Sequence, residues 1–276
     1  MNYNPYNFYN KVLDFKSPKI MGILNVTPDS FSDGGKYFSL DKAVDQALML
    51  LDDGADIIDV GGESTRPGSI NVNFDEELKR TLPVIKNILK INKDAIISVD
   101  TTKSKIAEEA LNAGACIVND ISGLTFDERM INVVKEFDAG VVLMHIKGIP
   151  KTMQNTPDYD DVVKEVYNFL KDQSDKVKSH GINKIIIDPG IGFGKRVEDN
   201  FELIKRLNEF QSIKYPTLIG LSRKTFIGKT LGLEINDRDV ATVIMETASI
   251  LNSARIIRTH NVKYCNQLVK LVTHIL

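Results

Sequence analysis

Several features are scarce in this chain of 276 residues, and each scarcity removes a class of protein. There are only two cysteines, Cys116 and Cys265, and neither stands in a CxxC spacing or next to a histidine. This argues against a disulfide framework and a cysteine-rich zinc site, and we expect both thiols to be reduced core residues. No apolar run reaches the roughly 18 residues that cross a membrane.

An excess of basic residues is also missing. The chain has 35 Lys and Arg against 37 Asp and Glu, with a net charge of -2, and the cations are scattered along the predicted helices. A nucleic-acid partner calls for a concentrated basic surface, so we expect small-molecule partners instead. The first residues, MNYNPYNFYNKV, have neither the charge nor the apolar core of a signal peptide, and we therefore expect a cytoplasmic protein without membrane contacts.

A repeated pattern occupies most of the chain. Eight short runs rich in Ile, Val and Leu each end at polar residues, and a helical segment follows each: KIMGILNV, ADIIDVGG, AIISVD, ACIVND, GVVLMH, KIIIDPG, PTLIGLSRK and ARIIRTH. Such runs suit parallel strands buried on both faces, and the segments between them are long enough for right-handed helical crossovers. The pattern predicts an α/β fold, a single-domain (β/α)8 TIM barrel over residues 18–276. Residues 1–17 are predicted to be a lead-in segment, with a short hairpin at the bottom of the barrel.

The predicted helices and connections carry further information. Helices are expected over 40–53, 75–90, 103–113, 127–137, 158–179, 199–210, 237–253 and 261–275. Two connections, TPDSFSDGGKYF and ESTRPGSINVNF, are long and glycine-rich, which is typical of functional loops on the active face of a barrel. The helix at 237–253 is apolar on nearly all sides, so it needs a second partner surface and indicates a homodimer.

Three polar residues at strand ends suit the recognition of a flat heterocycle. Asp100, Asn119 and Asp188 end the third, fourth and sixth runs, and all strand ends of a barrel open onto one face. Either carboxylate alone could simply cap its strand. A structural role does not explain two carboxylates and an amide at one face, and together they match the hydrogen-bonding edge of a pyrimidinone-like ring. Lys224 is the expected charge partner, because a buried carboxylate without one is expensive.

A second set of residues suits phosphate. Arg66, Arg258 and His260 follow strands two and eight, and the later strands of barrels often bind phosphate. Asn25, at the end of the first strand, can join a hydrated Mg²⁺ on a polyphosphate. His260 alone is as consistent with a structural histidine, and its spacing from Arg258 on one strand favours the phosphate interpretation.

The glycine-rich run DPGIGFGK lacks the spacing of a nucleotide P-loop or of GxGxxG. Phe193 within it could stack on a planar ring or simply pack the loop. Met144 and His145, at the end of the fifth run, could likewise either contact a ligand or only pack the structure.

Seven motifs resemble the dihydropteroate synthase family, and they cover the chain from about residue 18 to its end. They are NVTPDSFSDGG (25–35), DVGGESTRPG (59–68), SVDT (98–101), NDISG (119–123), DPGIGFGK (188–195), LSRKTFIG (221–228) and RTH (258–260). The first two together separate this family from other pterin-binding barrels. The resemblance implies condensation of 6-hydroxymethyl-7,8-dihydropterin pyrophosphate with 4-aminobenzoate, with sulfonamides as competitors of the latter.

The resemblance also implies residue roles. Catalysis would rest on Asp33, Arg66, Asp100, Lys224 and His260, with Asn25 at Mg²⁺. Substrate contacts would come from three groups: Asp100, Asn119, Met144, Asp188, Phe193 and Lys224 around the pterin; Thr65, Arg66, Arg258 and His260 around the phosphates; and Phe31, Asp33, Pro67 and Ser222 around the aminobenzoate. Arg223, within the SRK motif, is also expected to bind substrate.

The chain departs from the family at two places. The usual RVHDV is RTHNV here, so that Asn261 lacks a carboxylate that would orient His260. The second place is the seventh helix and its end: the usual glycine-rich start is ATVIMETAS here and the usual GA before strand eight is SA, which bears on the expected dimer contact. Two other functions would use the same pterin pocket. A methyltetrahydrofolate:corrinoid methyltransferase would not need the TRPG, SRK and RTH motifs. A binding protein without turnover is the second alternative, and the presence of Asn25, Asp33, Arg66, Lys224 and His260 argues against it.

Overall fold

The structure is a computed structural model that describes residues 3–27, 40–64, 72–155 and 157–276. Its strands are β1 (Tyr6–Phe8), β2 (Lys11–Leu13), β3 (Lys19–Asn25), β4 (Ile57–Gly61), β5 (Ile96–Asp100), β6 (Ile117–Asp120), β7 (Gly140–Met144), β8 (Ile185–Asp188), β9 (Leu218–Gly220) and β10 (Ile256–Thr259). Its helices are α1 (Leu40–Asp52), α2 (Phe74–Ile91), α3 (Ser104–Asn112), α4 (Met130–Glu136), α5 (Val162–Ser179), α6 (Val197–Lys205), α7 (Thr225–Leu231), α8 (Asp239–Leu251) and α9 (Val262–Thr273).

Eight parallel strands form the barrel, in the order β8, β7, β6, β5, β4, β3, β10, β9. The remaining seam, between β8 and β9, is closed by one parallel bridge between Ile187 and Thr217 and by a hydrogen bond from the Ile187 N–H to the Pro216 carbonyl at 3.0 Å. Apolar residues on the outer faces of the strands pack against the helices and form the main core. The predicted TIM barrel is confirmed, and the carboxyl ends of all eight strands open onto one face.

The amino-terminal segment lies at the opposite end of the barrel. Strands β1 and β2 form an antiparallel hairpin, and its buried Phe8 and Leu13 pack in one cluster with Ile96 and Ile256, which begin two barrel strands. The Tyr6 hydroxyl donates to the Ile185 carbonyl at 2.5 Å. The hairpin therefore covers the bottom of the barrel, and the carboxyl face remains for chemistry.

Most predicted helices agree with the structure to within a few residues, and the differences have local causes. Helix α7 was not predicted, because it has only seven residues and includes Gly228 and three β-branched residues, which are poor helix formers. Helix α6 begins two residues earlier than predicted, at the point where the Arg196 N–H donates to the Asp199 carboxylate at 2.8 Å. No helix in the described ranges is both long and apolar enough to cross a membrane.

A buried acid lies between the barrel and its outer helices. Glu246 of α8 is 1% exposed, and within the described part of the chain neither of its carboxyl oxygens has a hydrogen-bond partner. Burial raises its pKa to about 8 and outweighs the Thr259 hydroxyl and Cys265 thiol, which act to lower it. The folded protein therefore prefers the neutral acid at this position.

Glu246→Gln should change how stability depends on pH. A pKa raised from 4.5 to about 8 contributes stability below pH 4.5 that is lost as the pH rises through 8. The amide keeps the shape of the side chain without its charge. The free energy of unfolding in urea of the variant, minus that of the wild type, should therefore be higher at pH 9 than at pH 5, by about 1 kcal/mol or more. Exposed Glu234→Gln is the control, and parallel pH profiles for Glu246→Gln and wild type would contradict the assignment.

Candidate active site

The strand ends bring most of the predicted residues to the open mouth of the barrel. Asn25, Asp100, Asn119, Met144 and Asp188 lie at the carboxyl ends of β3, β5, β6, β7 and β8. Gly61, at the end of β4, leaves space between two of these groups. A Cβ built on it would lie 3.7 Å from Asp100 Oδ2 and 3.8 Å from Asn25 Oδ1, so both oxygens converge above this glycine.

Arg258 is the centre of the polar cluster. Its Nε donates to Asp59 Oδ2 at 2.6 Å and its Nη2 donates to Asp100 Oδ2 at 2.7 Å. The Asn119 amide donates to the same Asp59 oxygen at 3.0 Å. Sequence reasoning assigned no role to Asp59, although this charged residue lies in the centre of the apolar strand β4. Its position in ADIIDVGG was the available signal, since a buried carboxylate requires a partner.

Asp59 and Asp100 share the Arg258 guanidinium, and one of them, Asp100, binds a proton more readily than an ordinary aspartate in spite of this cation. Burial raises the pKa of Asp100 to about 7, against the lowering effect of Arg258, and the nearby Asp59 carboxylate raises it further. Burial acts to lower the pKa of Arg258, but the attraction of Asp59 and Asp100 prevails and holds it above its ordinary value. Arg258 is therefore a fixed cation on the floor of the site.

A second charged group lies on the other side of the mouth. Lys224 places its Nζ 4.2 Å from the centre of the Phe193 ring and donates to the Ile191 carbonyl. Burial lowers the Lys224 pKa to about 8, although the Asp188 carboxylate opposes this. Asp188 Oδ1 accepts from the Gly190 N–H at 2.7 Å, and burial raises the pKa of this carboxyl. Lys224 feels the charge of Asp188 but forms no ion pair with it within the described residues, whereas Asp100 is paired with Arg258.

The end of β10 and the loop after β9 meet around His260. Its Nδ1 lies 2.9 Å from the Ser222 hydroxyl oxygen. Arg223 makes two hydrogen bonds to Asp239 of α8, at 2.8 and 3.1 Å, and Asn261 donates to Asp239 at 3.0 Å. The usual family motif has a carboxylate at the position of Asn261. In this chain the Asp239 carboxylate of α8 lies beside that position instead.

A network of acids and lysine lies beside the cluster. Lys103 donates to Glu77 at 2.5 Å and also to Glu63, and Glu77 accepts from the Thr101 hydroxyl at 2.7 Å. Glu63 also accepts from the Val72 N–H at 3.0 Å. The side chains at the start of α2 and α3 therefore hold the residues just after β4.

Five of the predicted site residues lie outside the described ranges: Phe31, Asp33, Thr65, Arg66 and Pro67. The described residues that the structure brings together at the mouth are Asn25, Asp100, Asn119, Met144, Asp188, Phe193, Ser222, Lys224, Arg258 and His260. Arg223 lies beside them, but its guanidinium is directed at α8. The fold and the cluster define the class of protein: a barrel enzyme whose carboxyl face carries closely spaced hydrogen-bonding groups.

Comparison with known proteins defines the family. The model of the pterin-binding enzymes matches residues 21–260. A dihydropteroate synthase of Synechocystis sp. is 45% identical over 258 residues, which cover 92% of this chain and 89% of that protein. The chain belongs to the dihydropteroate synthase family of pterin-binding enzymes.

Solved structures agree. Yersinia pestis dihydropteroate synthase in a complex with a sulfonamide drug superimposes with a TM-score of 0.93 at 38% identity, covering 99% of both chains. The Xanthomonas albilineans enzyme in complex with 7,8-dihydropteroate gives a TM-score of 0.89 at 34% identity, covering 99% of this chain and 98% of that one. The match extends over the whole barrel, so the strand ends that carry the site are part of the shared fold.

Arg258→Met should destabilise the protein strongly at neutral pH. It leaves Asp59 and Asp100 without their cation, and removal of one partner from a buried pair costs roughly 3 kcal/mol or more. The loss in urea unfolding should be smaller at pH 5.5 than at pH 8, because Asp100, whose pKa burial raises to about 7, can then take up a proton. Arg258→Met combined with Asp59→Asn should recover part of the stability. An equal loss at both pH values with no recovery would show that side-chain volume matters rather than charge.

Proposed function

We propose that the cluster around Arg258 binds the dihydropterin ring of 6-hydroxymethyl-7,8-dihydropterin pyrophosphate, which the enzyme joins to 4-aminobenzoate to give 7,8-dihydropteroate and pyrophosphate. The observation that carries the proposal is the hydrogen-bonded set of Asp59, Arg258, Asp100 and Asn119 at the mouth. It offers carboxylate acceptors and an amide in one fixed arrangement, which matches the amino-pyrimidinone edge of a pterin. The relatives named above carry out chemistry of this kind.

The opposite wall of the pocket is proposed to cover the face of the ring. Phe193 offers an aromatic surface, and Lys224 stands above that ring, where the Asp188 carboxylate favours its charged form. Aromatic stacking and a nearby cation are a common arrangement for planar heterocycles. Met144, 3% exposed at the end of β7, would line the floor.

The charges of the site suit a reaction through a cationic intermediate. The C–O bond to the pyrophosphate breaks with its electron pair on the leaving oxygen, and the aryl amine then forms the new C–N bond and loses a proton. Asp100 and Asp188 would lie beside the ring, with the buried Asp59 behind Arg258, and these carboxylates would offset the positive charge that develops on the ring. His260 and Ser222, which are held together, are proposed to lie beside the phosphates and the aminobenzoate, with Arg66, Thr65, Phe31, Asp33 and Pro67 from the two long connections.

Magnesium is proposed as the cofactor. The described residues include no cluster of three or more His, Cys, Asp or Glu side chains that could hold a metal by itself. Asn25 Oδ1 is a neutral oxygen donor that converges with Asp100 Oδ2 above Gly61, which suits a cation that keeps its waters and takes its other ligands from pyrophosphate. When bound, Mg²⁺ would neutralise charge on the departing pyrophosphate.

The assay that tests this function follows two products together. Dihydropterin pyrophosphate is incubated with Mg²⁺, with and without 4-aminobenzoate, and pyrophosphate and dihydropteroate are measured in the same samples. We expect both to appear in equal amounts and to fall when a sulfonamide is added. Tight pterin binding with no product would instead support the binding protein without turnover.

Asp100→Asn should weaken pterin binding at least about tenfold, since the change removes one carboxylate from the ring edge and disturbs the hold on Arg258. Calorimetry with the pterin substrate alone provides the measurement. Asp94→Asn, an exposed substitution just before β5, is the matched control and should bind normally. Unchanged binding in Asp100→Asn would remove this carboxylate from the proposed pocket.

We further propose that the protein is a homodimer through α8. Val240, Ile244 and Leu251 lie on one side of this helix and are 71%, 61% and 51% exposed, whereas the opposite side packs on the barrel. An exposed apolar stripe of this kind is typical of an interface between subunits.

Ile244→Glu should separate the dimer, because a charge in a small apolar contact remains unpaired when buried. Light scattering after size exclusion should change from about twice to about once the chain mass of 30.8 kDa. Leu271→Glu, at an exposed apolar position of α9, is the control and should remain dimeric. Dissociation by the control, or a wild-type monomer, would contradict α8 as the interface.

The cytoplasm is the proposed location. Cys116 and Cys265 are both free and buried, which suits a compartment where thiols stay reduced.

A further inference from the structure

A lysine that the family comparison leaves without a role lies beneath the glycine-rich loop after β8. Lys195 is only 3% exposed. Its Nζ lies 3.0 Å from His145 Nδ1, 3.1 Å from the Phe193 carbonyl oxygen and 3.4 Å from the His145 carbonyl oxygen. Within the described ranges it forms no ion pair. Buried lysines are rare and nearly always paired with an acid, so one held by neutral acceptors needs an explanation beyond stability.

The three acceptors match the three donors of an ammonium group. Burial lowers the pKa of His145 to about 2, and the neighbouring Lys195 lowers it as well, so the imidazole is neutral and its Nδ1 can accept. The edge-to-face contact with Phe169, at 5.1 Å between ring centres, fixes the plane of the imidazole. Burial also lowers the pKa of Lys195, to about 7, with Asp188 opposing.

Lys195 joins two different elements. His145 follows β7, whereas Phe193 belongs to the loop after β8, and this loop lies directly on the β7 end. A Cβ on Gly190 would come within 1.9 Å of the His145 carbonyl oxygen, at a backbone φ of +70°. The other side of the loop is held by Asn200, which accepts from the Gly192 N–H at 2.6 Å, and by Tyr159, which donates to the Gly194 carbonyl at 2.7 Å.

The residue that this bond fixes is part of the proposed pterin wall. The Phe193 ring lies under Lys224, and Lys224 also donates to Ile191 of the same loop. A shift of the Phe193 backbone would therefore move both the aromatic surface and the cation beside Asp188. Small displacements of positioning groups have large effects on binding and turnover.

We propose that Lys195 is a positioning residue that ties the Phe193 backbone to His145 and thereby sets the Phe193 and Lys224 wall against the pterin ring. The proposal rests on the proposed function, because it assigns the effect to the pterin substrate. Lys195 does not contact the substrate, and its influence is confined to one of the two substrate pockets.

The test compares Lys195→Met, which keeps length and apolar stem but removes the donors, with the wild type. We expect the Kd for dihydropterin pyrophosphate to rise about tenfold and the KM for 4-aminobenzoate to stay within twofold. Lys205→Met, an exposed substitution on α6, should leave both unchanged. An equal rise in both constants, or no change in the pterin Kd, would overturn the proposal.

A second variant tests the route of the effect and serves if Lys195→Met fails to fold. His145→Phe keeps an aromatic ring but removes the Nδ1 acceptor, so it should weaken pterin binding by a smaller factor, and in combination with Lys195→Met it should add almost nothing. Hydrogen exchange gives a readout that needs no catalysis. Faster exchange of the Gly192 and Phe193 amides in Lys195→Met is expected, with the α2 amides unchanged.

These readouts separate the two proposals. If the wild type forms no dihydropteroate while the loop amides still exchange faster in Lys195→Met, the positioning role stands and the proposed function fails. Product formation by the wild type together with unchanged loop exchange in the variant would overturn the positioning role alone.

Discussion

The charge balance around Arg258 is the constraint on which the site depends. Asp59 is fully buried inside the barrel, and a carboxylate there cannot be left without a cation. Arg258 provides it through Nε and at the same time reaches Asp100 through Nη2, while Asn119 satisfies the same Asp59 oxygen. Strands β4, β5, β6 and β10 are thus connected across the lumen by polar contacts. In the proposed function, the ligand binds the hydrogen-bonding groups of Asp100 and Asn119 that these contacts do not occupy.

The rest of the barrel keeps this arrangement rigid. The β1–β2 hairpin covers the amino-terminal end of the barrel with aromatic and aliphatic side chains, which pack against the beginnings of the strands. On the far side of the mouth, the loop after β8 can lie directly on the β7 end because Gly190 and Gly194 have no side chains, and a Cβ on either would collide with a backbone oxygen. Recognition of a heterocycle by hydrogen bonds needs this kind of fixed frame.

Much of this could be predicted from the sequence. The barrel follows from eight apolar runs of strand length, and Asp100, Asn119 and Asp188 were predicted together because strand ends share one face. Three features were missed. Asp59 lies within a run rather than at its end, so a rule based on strand ends overlooks it. Lys195 looks like a solvated lysine, because its burial depends on a loop that folds over it. Helix α7 is too short and too rich in β-branched residues for periodicity to reveal it.

Departures from the family pattern have a structural consequence that sequence comparison could not supply. Asn261 in place of a carboxylate suggested a weaker hold on His260, but Asp239 of α8 lies beside it and is held by both Asn261 and Arg223. On the other face of β10, Thr259 lies near the buried acid Glu246 of the same helix. Helix α8 therefore places one acid beside Thr259, which lies between Arg258 and His260, and another beside Asn261, which follows them. The exposed side of α8 is the proposed subunit interface, so the helix that would carry the dimer contact also carries Asp239 and Glu246, which lie beside residues of the Arg258–Asn261 segment.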